Sequence, residues 1–136
     1  MIGLPIFYYN QLPDLIPQHF DINGEPDAFN KKSMIWVLVA IGVLTYLGMA
    51  WLLKKPHLFN FPQQVTEENA ERLYKSATRM IRILNTLIAC LFAYITYGII
   101  HTALGHQNGL GSYLLPIILI ATLGITVYFF VKTYKK

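Results

Sequence analysis

Charged side chains vanish from three apolar runs, Met34 to Leu53, Ile83 to Leu104 and Tyr113 to Val131. A hydrocarbon layer about 30 Å thick takes roughly 20 helical residues to cross, and each run is about that long. The pattern therefore predicts an all-α integral membrane protein with transmembrane helices at about 34–53, 83–104 and 113–131. Residues 1–33 form a separate proline-rich extracytoplasmic segment, and 34–136 form the transmembrane bundle, including a cytoplasmic amphipathic helix at 66–82.

The amphipathic helix is read from its own periodicity. Leu73, Ala77, Met80 and Leu84 recur at spacings of four, three and four, while Glu68–Arg72 and Glu71–Lys75 are i,i+4 pairs in the favoured order. Thr66 is the expected N-cap, with Glu67 and Glu68 in the first turn, where the helix dipole favours acids. No Gly or Pro follows until Gly98, so this helix and the second span are expected to form one rod from Thr66 to about Leu104. Gly105 to Ser112 then turns the chain back, and Pro116 is tolerated in the first turn of the third span.

The segment before the first span cannot be helical throughout, because prolines at 13, 17 and 26 hold Leu12, Ile16 and Glu25 extended. With Asn23-Gly24 as a turn signal, the chain is expected to run extended from Ile16 to Asp21, turn, and return through Pro26 to Phe29. Ser33 is the expected cap of span one. Met1 to Tyr9 is apolar but too short to cross a bilayer, and reads as the outer end of a partial or missing helix before residue 10. Between spans one and two, Pro56 and Pro62 bracket an aromatic link, His57 to Phe61.

Hydrophobic residues make up 54% of the 136 residues and charged ones 13%, about half the charged share of a soluble domain. The net charge of +4 does not imply nucleic acid, since the cations flank the spans instead of lining one groove. They act as topology signals. Lys54, Lys55, Arg72, Lys75, Arg79 and Arg82 lie between spans one and two, and Lys132, Lys135 and Lys136 follow span three. The positive-inside rule places both regions in the cytoplasm, and residues 1–33 and 105–112 outside, as expected for a bacterial cytoplasmic (inner) membrane protein. Trp36 and Trp51 mark the two interfaces of span one. Cys90, the sole cysteine, lies within span two, so there is no disulfide framework.

The three spans hold no acid, lysine or arginine, which disfavours a proton-coupled pathway through one copy. Ala89/Ala93 and Thr122/Thr126 have the spacing that lets helices approach closely. On the outer side, His19, Asp21, Asp27, His101 and His106 are the residue types of a zinc site, but their spacing matches no ligand motif. Asp21-x-Asn23-Gly24 has part of a calcium loop, with the glycine too early and the closing Glu absent. No cofactor is assigned.

Residues 12–32, LPDLIPQHFDINGEPDAFNKK, carry an LPD, IP, HF, Gly, PD, aromatic and Lys series. This resembles the signature of the membrane family known as domain of unknown function 1648, a domain also found in the immunity protein against the sporulation-delaying-protein toxin. The resemblance covers about 21 residues and rests on Pro13, Asp14, Pro17, His19, Phe20, Gly24, Pro26, Asp27, Phe29 and Lys32. It implies a membrane protein with an extracytoplasmic motif, and leaves the biochemical role open. A cation at the N-terminus of span one is disfavoured by the helix dipole, so Lys32 is expected to pair with Asp14 or Asp27. Such a pair would fold the segment onto the membrane, bury Phe20 and Phe29 at the interface and leave His19 facing water or a partner.

Three functions compete at this point. The first is a non-enzymatic membrane protein whose motif caps the bundle and binds a peptide toxin or another membrane protein, as in immunity or signal transduction. The second is a metal-dependent membrane hydrolase using His19, Asp21 and Asp27. The third is a transporter accessory subunit built by homo-oligomerisation.

Overall fold

The computed structural model describes residues 2–134. Its elements are α1 (Gly3–Tyr8), a hairpin of β1 (Leu15–Phe20) and β2 (Pro26–Lys31), α2 (Ile35–Leu52), α3 (Ala70–Ala103) and α4 (Leu114–Tyr134). Short 3-10 turns at Lys32–Met34 and Pro56–Leu58 lead into α2 and follow it. The protein is mainly helical, and three of its helices are long and apolar enough to cross a membrane, at 32–52, 70–103 and 114–133. The small antiparallel sheet is the one departure from an all-α fold, and it arises where the prolines forbid helix.

The rod expected from Thr66 to Leu104 is present as α3, with no break at residues 80–83. Its start differs in detail. The regular helix begins at Ala70, and a turn over 66–69 winds into it: the Thr66 carbonyl accepts from the N–H groups of Asn69 and Ala70 at 3.2 and 2.9 Å. The Asn69 side chain reaches back to accept the Thr66 N–H at 2.8 Å, the return half of a capping box. Asn69 is the N-cap residue of α3, but its side chain makes no bond to the N–H groups of the helix, so the side-chain cap expected of Thr66 is not supplied by Asn69 either. Ser33 likewise does not cap α2. It lies inside the 3-10 turn, where the Ile35 N–H bonds the carbonyls of Lys32 and Ser33, so the main chain closes that helix end without a side chain.

Several threonine hydroxyls in the spans bond back along their own helices, a local way of satisfying a polar group in hydrocarbon. Thr96 donates to the Phe92 carbonyl, Thr122 to Ile118 and Thr126 to Thr122. Thr126 is exposed, and within this chain the Thr122/Thr126 spacing makes these backbone bonds. Asn85 is buried near the start of span two and donates to the Tyr46 carbonyl of α2 at 3.3 Å, tying α2 to α3. Much of α2 and α4 turns apolar side chains outward, among them Leu44, Ile120 and Leu123, the surface expected of helices solvated by lipid tails.

The buried core lies at one end of the bundle. Leu12 and Ile16 from the motif segment pack with Ile35 at the start of α2 and with Ile99 and Ile100 near the end of α3. Leu4, Tyr8 and Tyr9 from the N-terminal turn and Phe20 from β1 close around them. The segment before span one is therefore part of the hydrophobic core.

Candidate functional site: the hairpin on the helix ends

The hairpin register follows from the sequence between its two prolines. Leu15 pairs with Lys31, Ile16 with Asn30, Pro17 with Phe29 and Phe20 with Pro26, while His19 shifts to lie opposite Ala28. Gln18 and Asp27 are the residues left over by this irregularity, one on each strand, as in bulges that re-aim side chains. His19 and Asp27 meet there, with Nδ1 and Oδ1 2.6 Å apart on the exposed surface. Ile16 and Pro17 turn inward and are buried.

Asp21 closes the turn. Its Oδ1 accepts the N–H groups of Asn23 and Glu25 at 2.9 and 2.8 Å, and its Oδ2 accepts from the Asn23 amide. The Glu25 N–H foremost, with the Asn23 contacts, holds the Asp21 carboxyl below its ordinary 3.8. Gly24 follows at φ +80°, a conformation that excludes most side chains.

That glycine docks on the loop between α3 and α4. The Leu110 N–H donates to the Gly24 carbonyl at 2.8 Å, and a Cβ added at Gly24 would stand 2.6 Å from the Gly111 carbonyl oxygen. A Cβ at Gly109 would collide with the Gly24 carbonyl. Leu110 is pinned from both sides: its carbonyl accepts from the Tyr94 hydroxyl at 2.9 Å, and its side chain covers Gly98, where a Cβ would overlap it. Gln107 bonds the carbonyls of Gly98 and Gly109. Sequence reasoning read Gly105, Gly109 and Gly111 as a turn, but did not find their contact with Gly24 or the roles of Tyr94, Gly98, Gln107 and Leu110. The glycine spacing was the one available signal.

Lys32 pairs with the first of its two expected partners. Its Nζ lies 3.7 Å from Asp14 Oδ1, donates to the Leu12 carbonyl at 3.3 Å and sits 5.6 Å from the centre of the Tyr9 ring. Asp27 is not its partner, because the strand register gives Asp27 to His19. The Asp14 carboxylate is 99% exposed and screened by water, and the Leu12 carbonyl is the nearest of the three contacts of this cation. Pro13 is exposed and Pro26 half-buried. Phe20 packs against the buried cluster, and Phe29 is 60% exposed to the outside of the protein on β2, the strand that lies away from α3.

The suggested metal-ligand set is not assembled. His19 meets Asp27, Asp21 is engaged with its own turn, and His101 contacts His106 across 3.3 Å while stacking on Tyr97. Among the described residues, no three His, Cys, Asp or Glu side chains are placed to share a metal ion.

An uncharacterized protein of Archaeoglobus fulgidus is 25% identical over 131 residues, covering 86% of this chain and 72% of its own length. No solved structure matches. Residues 1–43, which hold α1, the hairpin and the first half of α2, match the family described as Domain of unknown function (DUF1648), the family that the LPD-to-Lys motif resembles.

Proposed function

We propose that this is a non-enzymatic protein of the cytoplasmic membrane whose motif hairpin has two roles: it staples the outer ends of α2, α3 and the α3–α4 loop, and it receives an extended peptide or a strand of another membrane protein along β2. Residues 1–33 and 105–112 face outward, and 54–82 and the C-terminus face the cytoplasm. The distribution of lysine and arginine supports this orientation. The observation that carries the partner role is the inequality of the two strands. β1 buries Ile16 and Pro17 against the helices, while β2 runs exposed from Asp27 to Lys31 with Phe29 outward and His19–Asp27 beside it. An exposed edge strand offers backbone hydrogen bonds to an added strand, and alternate side chains give that addition its specificity.

A labelling experiment tests both statements. In a Cys90→Ser background, a cysteine at Gln107 is expected to react with an impermeant reagent on intact cells, and one at Gln64 only after permeabilisation. A photo-crosslinking side chain at Phe29 is expected to give a discrete peptide or protein adduct that His19→Ala removes, with no adduct from the same group at Leu44. Reversed labelling refutes the orientation, and adducts with lipid alone at Phe29 refute the partner role.

A further inference from the structure

At the opposite end of the bundle, α3 and α4, with the end of α2 and residues 58–62, line two adjoining open cavities of different character. One, about 870 Å³, is lined by Arg72, Lys75, Arg79, Arg82 and Lys132, with Glu68 and Glu71 as the only acids. Glu71 is already paired with Lys75, and this contact holds its carboxyl below the ordinary value. The other cavity, about 580 Å³, is apolar, walled by Leu52, Phe61, Met80, Ile81 and Phe130 among others. Ser76, Phe129 and Thr133 line both, so the basic chamber opens directly beside the apolar one. At this seam the Ser76 Oγ is buried and has no hydrogen-bond partner among the described residues.

Position identifies the occupant. Lys54, Arg82 and Lys132 are the cations closest to the charge-free runs of α2, α3 and α4 at this end, so the cavities lie in the zone where those runs give way to charge. Trp51 stands near the end of the apolar run of α2, with Lys55 Nζ 4.7 Å from its ring centre. The cavities there set a cluster of cations directly beside an apolar wall. We propose that the two cavities form one binding site for an anionic phospholipid, its phosphate held by Arg79, Arg82 and Lys132, its glycerol region at Ser76, and an acyl chain in the apolar chamber. Charge complementarity favours a headgroup of net negative charge, and basic pockets between membrane helices hold such headgroups in general. Each cavity also falls within the range, roughly 300–1,000 Å³, of pockets that bind small molecules.

The test uses the full chain purified in a neutral detergent, with lipid binding read by native mass spectrometry and by the thermal midpoint. Phosphatidylglycerol is expected to remain bound as a one-to-one adduct and to raise the midpoint, while phosphatidylcholine, inorganic phosphate and glycerol 3-phosphate do neither. Replacing Arg79 and Arg82 by Gln is expected to weaken phosphatidylglycerol binding about fivefold for each charge removed. Replacing Lys54 and Lys55 by Gln, cations of the same zone that do not line either cavity, should leave it unchanged. Comparing lipid-free midpoints identifies any variant that fails to fold, and the wild-type lipid comparison stands independently of it. Equal losses from the two double variants would show diffuse attraction and overturn the site. Equal effects of glycerol 3-phosphate would overturn the lipid assignment, as would equal retention of phosphatidylcholine.

Discussion

Gly24→Ala is expected to loosen the hairpin from the helix ends by two separable effects. The first is local: at φ +80° a residue with a Cβ bears a left-handed conformation that costs about 1–2 kcal/mol. The second is tertiary, because the new Cβ would stand 2.6, 2.8 and 2.9 Å from Gly111 O, N and C, all of them backbone atoms that cannot rotate away. The hairpin tip must then withdraw, and its 2.8 Å bond from Leu110 N–H goes with it, a loss of about 1 kcal/mol. Gly105→Ala isolates the first effect, since Gly105 has φ +74° and nothing within 4 Å of an added Cβ. The stiffening of the unfolded chain by alanine is common to both and cancels. Chemical or thermal unfolding in detergent should therefore find Gly24→Ala less stable than Gly105→Ala by about 1 kcal/mol or more. Hydrogen exchange should show the Leu110 amide deprotected only in Gly24→Ala. Equal stabilities with Leu110 still protected would refute the docked hairpin.

Two further outcomes follow from the same segment. Lys32→Met should destabilise the protein through lost contacts to the Leu12 carbonyl and the Tyr9 ring, while Asp14→Asn should do little and the double variant should be close to additive, because an exposed carboxylate contributes weakly; strong coupling in a double-mutant unfolding cycle would contradict this placement of Lys32. Since folding lowers the Asp21 carboxyl below 3.8, its contribution is present above that value and lost as pH falls through the lower folded value. Exchange of the Glu25 amide should accordingly rise relative to its intrinsic rate below pH 3.8, and Asp21→Asn, which keeps an acceptor oxygen, should remove that acid step; an unchanged acid profile in Asp21→Asn would assign the step elsewhere.

The sequence by itself determined the elements whose causes are local. Absence of charge over helix-length runs gave the three spans, the stripe from Leu73 to Leu84 joined span two to its amphipathic foot, and Pro17, Pro26 and Asn23-Gly24 set the hairpin and its turn. These follow from solvation, backbone sterics and spacing along one chain. Cap assignment was less legible, because Thr66 and Asn69 are both good capping types, and the turn over 66–69 moves the helix start to Ala70 with the Asn69 side chain turned back to the Thr66 N–H. Only the tertiary structure decided the pairings across the fold. Asp14 and Asp27 are equivalent as charges, and the strand register alone sends Asp27 to His19 and leaves Asp14 near Lys32. The docking of Gly24 on Gly109, Leu110 and Gly111 joins residues more than 80 positions apart, and a glycine's need for a close neighbour does not say which neighbour it will be. The same holds for the two cavities at the other end, where basic and apolar residues of α3 share one opening only because α4 returns beside them.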